Sequence, residues 1–214
     1  MDHILVFLII NIFNSLIYSY TNILLKFYWY NKLDEKILYL SYIFIIINFF
    51  ILNSLPYKQL LILLLIFIYF FYIIIIDYKY LILLMDLYYK ILWFSIIFLA
   101  ISITKNELIN VLFLIIIYLF IWFVIFIVSK IIQYFKKEET LGTGDLYFSI
   151  IFWIILSVFV YKYWLNIDLF IYHILIACLI SLFLVLIKKE RKIGFLPGLI
   201  ISLILIIYYI LFYT

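Results

Sequence analysis

The chain is poor in charged residues, which make up only 12% of its 214 positions, whereas 71% are hydrophobic. A soluble globular domain does not have this balance, because it needs a largely polar surface. The sequence therefore predicts a protein that crosses a membrane several times. The net charge of +4 is carried between the apolar stretches and gives no reason to expect a nucleic acid partner.

Cysteine is almost absent, since Cys178 is the only one and lies inside an apolar run. An intrachain disulfide and a cysteine zinc site are therefore excluded. His173 precedes Cys178 by five residues, which places the two side chains about 140° apart around a helix. A Cys–His catalytic dyad is thus not expected, and we expect His173 to be hydrogen-bonded within the helix bundle.

Other metal and cofactor signals are missing as well. The sequence contains no cluster of His, Cys and Glu with the spacing of metal ligands, and no glycine-rich phosphate loop. No serine stands beside a suitable base. We therefore expect neither a metal nor a cofactor in the functional site.

Charged residues divide the chain into apolar stretches, most of them close to the roughly 20 residues that a membrane-spanning helix needs. The stretches are apolar on every face, unlike barrel strands, which predicts an all-α, polytopic transmembrane helix bundle of about eight helices, six at the fewest. The second, fourth and sixth are short enough to be tilted, re-entrant or merged with a neighbour. The predicted spans are 3–25, 38–54, 59–76, 88–103, 108–129, 146–161, 168–187 and 195–213.

Positive charge is distributed unevenly between the loops. Twelve of the fifteen Lys and Arg residues follow the odd-numbered spans, and only Lys58, Lys105 and Lys162 follow the even-numbered ones. Positive residues collect in cytoplasmic loops, so we predict that the odd-numbered loops are cytoplasmic and both termini external. The first span lacks a basic leader and a small-residue cleavage site, so we expect it to be retained.

Glycine is scarce too, and its four occurrences fall in two short clusters. One is Gly142-Thr143-Gly144, directly before Asp145, and the other is Gly194 and Gly198 before the last span. Because glycine permits positive φ and close backbone approach, the first cluster predicts a tight, non-helical turn that brings a helix or a substrate backbone to Asp145. The alternative for Asp145 is an N-cap, where an acid suits the helix dipole.

Two further aspartates lie near apolar runs. Asp77 directly follows Ile73–Ile76, where an ionised carboxylate is costly, and it is predicted on the same side of the membrane as Asp145. The alternative for Asp77 is an ordinary acidic residue at the membrane boundary. Asp86 is the competing partner for Asp145, either as a catalytic group or as a substrate contact.

Two aspartates with little other reactive chemistry suggest an aspartic-protease dyad. Two carboxyl groups that share a site do not both ionise readily, so one keeps a proton near neutral pH while the other is charged. The charged group takes a proton from water, which attacks the peptide carbonyl, and the protonated group polarises that carbonyl. Such a pair titrates as a unit.

The segment Gly142-Thr143-Gly144-Asp145 resembles the GxGD signature of intramembrane aspartyl proteases, and within that group the chain is similar to the type IV prepilin peptidases. Ile76–Lys79 resembles the family's first aspartate segment, and Lys137–Leu146 resembles its charged loop leading into GxGD. Lys192–Pro197 resembles the family's C-terminal motif before the last helix. The residues of that motif here are Gly194, Phe195, Pro197 and Gly198.

The resemblance covers about residues 60–214, a peptidase core within a single integral membrane domain, 1–214. It implies that Asp77 and Asp145 are both catalytic. It also implies an aspartic endopeptidase of the bacterial cytoplasmic membrane, with its site facing the cytoplasm. The implied partners are the lipid bilayer and a prepilin or pseudopilin precursor, made for a type IV pilus or for competence, whose short basic leader is removed. Four acidic residues are expected to attract that leader: Glu138, Glu139, Asp34 and Glu35.

The sequence departs from the family pattern in three places. Tyr147 stands two residues after the second aspartate, where many members have Lys, and Met85-Asp86 stands near an expected Pro-Asp pair. The loop Tyr30–Ile37 lacks the paired CxxC insert that is linked to N-methylation in many members, so cleavage is expected without methyltransferase activity. A second interpretation is a non-enzymatic transporter or assembly factor that uses Asp77 and Asp145 as a proton or cation site.

Overall fold

The computed structural model describes residues 2–80, 82, 84–136, 143–162, 168–188 and 196–213. Within these ranges the chain forms eight α-helices and no β-strand, which confirms the predicted all-α bundle. A short 3₁₀ turn, Leu52–Ser54, continues the second helix. The helices are α1 (Asp2–Phe27), α2 (Glu35–Ile51), α3 (Tyr57–Tyr80), α4 (Met85–Ser102), α5 (Lys105–Lys136), α6 (Thr143–Lys162), α7 (Asp168–Lys188) and α8 (Leu196–Tyr213).

The start of α6 differs from the prediction. The helix begins at Thr143, three residues earlier than expected. Thr143 and Gly144 are therefore helical, and the prediction of a non-helical turn is wrong for these two residues. Glycine is tolerated there because the first turn of a helix makes few intrahelical hydrogen bonds. Gly142 lies outside the described ranges.

Five helices are long and apolar enough to cross a membrane: α1, α2 with its 3₁₀ turn, α3, α4 and α5. The second and fourth spans, predicted to be short, thus reach the required length. The other three helices are apolar over shorter stretches, Tyr147–Tyr161, Ile171–Leu184 and Leu196–Phe212. These helices indicate a membrane protein.

The helices α3 and α6 are the innermost in the bundle. Every residue from Leu63 to Phe70 of α3 and from Ile151 to Val160 of α6 is buried. The helix α3 packs against α1, α2, α4 and α8, whereas α6 packs against α4, α5 and α8. Burial on all sides is what an apolar helix without a polar stripe predicts. Each of these two helices carries one of the candidate catalytic aspartates.

A triangle of buried hydrogen bonds joins the first three helices. Asn14 Nδ2 donates to Ser41 Oγ at 2.9 Å, and the Tyr72 hydroxyl donates to Asn14 Oδ1 at 3.0 Å. The Tyr72 hydroxyl and Ser41 Oγ are also 3.0 Å apart. Buried polar groups in apolar surroundings need partners within the protein. The triangle therefore fixes α3 against α1 and α2.

The helices α7 and α8 approach closely at Gly198. A Cβ atom added there would lie 2.5 Å from the carbonyl oxygen of Ala177 and still closer to the hydroxyl of Ser181. Small residues allow helices to pack backbone against backbone within a membrane. The close approach of α7 and α8 therefore explains the glycine at position 198.

A buried hydrogen bond also links these two helices. His173 Nδ1 and Ser202 Oγ are 2.8 Å apart, and both residues are fully buried. Cys178 is exposed on another face of α7. The expectations that His173 is bonded within the bundle and that it does not share a face with Cys178 are both confirmed.

Candidate active site

Asp77 lies in the last turn of α3, three residues before the helix ends at Tyr80, and is only 8% exposed. Two features of this position oppose a carboxylate. The preceding run is apolar, and the C-terminal end of a helix carries a partial negative charge. Helix stability therefore does not explain an acid here, which favours a functional role over an ordinary boundary charge.

Asp145 occupies the opposite kind of helix end. It is the third residue of α6 and is 7% exposed. It therefore lies inside the first turn and is not the N-cap residue. The partial positive charge at the N-terminus of a helix stabilises an ionised carboxylate in this turn. The two candidate aspartates thus experience opposite fields from their own helices.

A contact between aromatic rings relates the two aspartates in space. The rings of Phe70 on α3 and Phe152 on α6 lie 5.7 Å apart. Phe70 is seven residues before Asp77, and Phe152 is seven residues after Asp145. Seven residues are nearly two helical turns, so each aspartate lies about 20° around its helix from its phenylalanine and about 10 Å along the axis.

The helix α4 runs in the same direction as α6, because Tyr88 and Phe98 of α4 contact Phe148 and Phe159 of α6 in the same order. It follows α3 after a short connection and returns along it, with Tyr69 against Phe94, so α3 and α6 run in opposite directions. The C-terminal end of α3, which carries Asp77, and the N-terminal end of α6, which carries Asp145, are therefore toward the same end of the bundle. Because the rings of Phe70 and Phe152 are in contact, each aspartate lies near the side of its helix that carries this contact. The helix register thus places both predicted residues toward the same end of the bundle.

The helices α4 and α8 form the remaining walls. Tyr88 of α4 is 4% exposed, and its ring lies 5.4 Å from Phe148 and 5.7 Å from Tyr147 at the start of α6. The first turn of α8, with buried Leu196 and Leu199, belongs to the helix that packs against both α3 and α6. Aromatic and aliphatic side chains of α4 and α8 thus line the two helices that carry the aspartates.

Asp86 is directed to a different surface. It lies in the first turn of α4 and is partly exposed. It is about 160° around the helix from Tyr88, which faces α6, and about 40° from Lys90. The Lys90 ammonium lies 3.3 Å from the ring centroid of Tyr20 on α1. Asp86 thus shares a face of α4 with Lys90 and is not directed toward Asp145. Its negative charge is favourable at the positive N-terminal end of α4.

The acidic residues expected to attract a leader have local roles where they are described. Asp34 is the N-cap of α2, and its side chain accepts a hydrogen bond from the Lys36 backbone at 2.9 Å. Glu35 is exposed in the first turn of the same helix. Glu138 and Glu139 lie outside the described residues.

The C-terminal motif is divided between described and undescribed positions. Pro197 and Gly198 lie in the first turn of α8 and are buried. Proline is compatible with this turn because its missing N–H would have no intrahelical partner. Gly194 and Phe195 lie outside the described ranges.

The part of the chain that the structure describes contains no group of three or more His, Cys, Asp and Glu residues placed to hold a metal ion. Sequence reasoning identified the aspartates but missed the aromatic side chains that relate and enclose them: Phe70, Phe152, Phe148 and Tyr88. The seven-residue spacing from each aspartate was the available signal for Phe70 and Phe152.

The chain matches no family model, no curated protein and no solved structure.

Proposed function

We propose that the protein is an intramembrane aspartic endopeptidase with Asp77 and Asp145 as its catalytic dyad. The observation that supports this proposal is the burial of both aspartates, each of which lies about two helical turns from the Phe70–Phe152 ring contact that links α3 and α6. Buried acids in a membrane protein are costly and mark functional sites. Their resemblance to the aspartate segments of prepilin peptidases supplies the reaction class.

The opposite helix fields suggest a role for each aspartate. Asp145, at the positive end of α6, is the ionised group that takes a proton from the attacking water. Asp77, at the negative end of α3, holds the proton that it shares with the peptide carbonyl oxygen. As the tetrahedral intermediate collapses, the proton on Asp145 passes to the leaving nitrogen and the C–N bond breaks.

The proposed substrate is a type IV prepilin or pilin-like precursor, with a short basic leader followed by a hydrophobic helix. In this proposal the hydrophobic helix of the substrate places the peptide bond at the membrane boundary, at the depth of the helix ends that carry the two aspartates. The excess of Lys and Arg in the odd-numbered loops supports a cytoplasmic location for this end of the bundle.

The decisive experiment is the cleavage of a co-expressed prepilin-like substrate by the wild type and by three variants. We expect Asp77→Asn and Asp145→Asn each to abolish cleavage at normal membrane levels of the protein. Asp86→Asn is the matched control and should retain cleavage, because Asp86 faces away from α6. Immunoblots of the membrane fraction exclude loss of protein as the cause.

Cleavage that persists in either the Asp77 or the Asp145 variant would contradict the proposed dyad. Loss of cleavage in the Asp86 variant alone would transfer the catalytic role to that residue. A panel of pilin-like precursors with different leaders should be used, so that a single unsuitable substrate does not determine the result.

A further inference from the structure

The turn after α1 presents an unusual tryptophan. Trp29 has a φ of 65° and is the one residue other than glycine with a positive φ in the described part of the chain. It is also 96% exposed. A bulky residue in this backbone conformation is disfavoured, whereas glycine adopts it readily. The backbone preference of Trp29 therefore opposes this conformation, and its exposed side chain buries almost no surface. Neither property stabilises the fold.

The conformation follows from the way α1 ends. The Tyr30 N–H donates to the Leu25 carbonyl at 2.8 Å, and the Trp29 N–H donates to the Lys26 carbonyl at 3.1 Å. These two bonds form a Schellman motif, in which the residue after the helix adopts a left-handed conformation. Glycine is the usual residue at this point, so the tryptophan replaces the residue best suited to the turn.

Three hydrogen bonds hold the base of the turn in place. The Leu33 N–H donates to Asn22 Oδ1 at 2.7 Å, and the Tyr18 hydroxyl donates to the Leu33 carbonyl at 3.0 Å. The Tyr80 hydroxyl donates to the Asn31 carbonyl at 2.8 Å. The tip of the turn is thus exposed while its base is fixed to α1 and α3, so the aromatic side chains are presented in a set direction.

The neighbours of Trp29 are aromatic and basic. Phe27 is 73% exposed and Tyr28 is 43% exposed, with ring centroids 5.3 Å apart. The exposed charged residues from position 26 to 36 sum to +1, since three lysines outweigh two acids. These charged residues are Lys26, Lys32, Lys36, Asp34 and Glu35.

The length of α1 places this turn at a particular depth. Its 26 residues span about 39 Å, compared with about 30 Å for the hydrocarbon core of a bilayer. The end of α1 therefore reaches the headgroup layer. Tryptophan and tyrosine are enriched in this layer because an amphipathic ring has both an apolar face and a polar N–H or O–H.

We infer that the aromatic turn, Phe27–Tyr30, is a docking surface for the headgroup layer of an anionic bilayer, with Trp29 as its anchor. The indole inserts between headgroups, and the adjacent lysines contact lipid phosphates. The lipid contact compensates for the backbone strain at Trp29, which explains why this position carries a large side chain. The inference does not depend on the proposed proteolytic activity.

Depth-dependent quenching of tryptophan fluorescence tests the inference. The full chain is reconstituted in vesicles of phosphatidylcholine and phosphatidylglycerol, whose acyl chains carry bromine either near the headgroup or near the chain end. The emission of Trp29 is obtained by subtracting the spectrum of a Trp29→Gly variant. Glycine is the suitable replacement because it keeps a φ of 65° without strain.

Trp93 provides a matched control at a different depth. It is 66% exposed and lies in the middle of α4, and its emission is obtained by subtracting a Trp93→Phe spectrum. We expect shallow bromine to quench Trp29 more than deep bromine does, with the reverse order for Trp93. Aqueous iodide should quench Trp29 only weakly.

Two results would overturn the inference. Strong quenching of Trp29 by iodide, with no effect of either brominated lipid, would show that the turn stands in water and is available to a protein partner. Stronger quenching by deep than by shallow bromine would place the indole among the acyl chains.

Discussion

At the residue scale, the proposed chemistry depends on where each carboxyl group lies as well as on its charge. Asp77 and Asp145 are held on two innermost helices, so neither backbone is free to move back when a side chain is lengthened. We therefore expect Asp77→Glu and Asp145→Glu each to lower the cleavage rate by about 10²-fold or more, as a displacement of about 1 Å can do. The measurement is the initial rate of leader removal in isolated membranes.

Asp86→Glu is the control for this pair of substitutions and should leave the rate within a factor of a few. A proton or cation site tolerates glutamate more readily than a dyad with fixed geometry does. Near wild-type function in both glutamate variants would therefore contradict the protease assignment and favour the transporter interpretation.

Gly198 gives a second prediction at the residue scale. A methyl group at this position meets the Ala177 carbonyl oxygen at 2.5 Å, and that oxygen moves only if the backbone of α7 moves. Gly198→Ala should therefore lower the free energy of unfolding by about 1–3 kcal/mol, as overpacking does. Thermal unfolding in detergent measures the change.

Ser181 supplies the control because its hydroxyl, buried without a hydrogen bond among the described residues, is the atom nearest to the added methyl group. Ser181→Ala should be close to neutral. The double variant Gly198→Ala, Ser181→Ala should remain destabilised, because the clash with the Ala177 carbonyl is still present. Full recovery in the double variant would show that the hydroxyl contact alone required glycine.

At the scale of elements, the hydrogen-bond triangle should stabilise the packing of the first three helices. Tyr72→Phe removes a donor to Asn14 Oδ1 and a contact with Ser41, and it leaves a buried acceptor in apolar surroundings. We expect a loss of about 1–2 kcal/mol in the free energy of unfolding. Tyr69→Phe, which changes a buried tyrosine one turn away, should cost less. Equal effects of the two substitutions would contradict a special role for the triangle.

The positions of the elements were largely predictable, because charged residues mark the ends of the apolar runs. The start of α6 was not, since Gly144 was interpreted as a helix breaker although the first helical turn accommodates it. Which helices pack against each other was not predictable either, because α3 and α6 are apolar on every face and their sequences give no periodic signal. Asp77 and Asp145 were recognisable as isolated acids, whereas Tyr88 was one aromatic residue among many.

At the scale of the whole molecule, the charge distribution predicts opposite sides for successive loops. In a Cys178→Ser background, Lys32→Cys and Asn53→Cys place single thiols at exposed positions at opposite ends of α2. An impermeant maleimide applied to intact cells should label position 53 and should label position 32 only after permeabilisation. The reverse pattern would place the aspartates at the external surface and contradict the proposed substrate.

The placement of the two aspartates on separate helices, α3 and α6, has a consequence for biosynthesis. Asp145 follows Asp77 by 68 residues, so at about 5–20 residues per second the ribosome delivers it some 3–14 seconds later. The residues of the Asn14–Ser41–Tyr72 triangle all precede Asp77, so the first three helices can already be joined while the second carboxyl group is still being translated. If the proposed dyad is correct, the nascent protein therefore stays inactive until α6 has been synthesised and inserted.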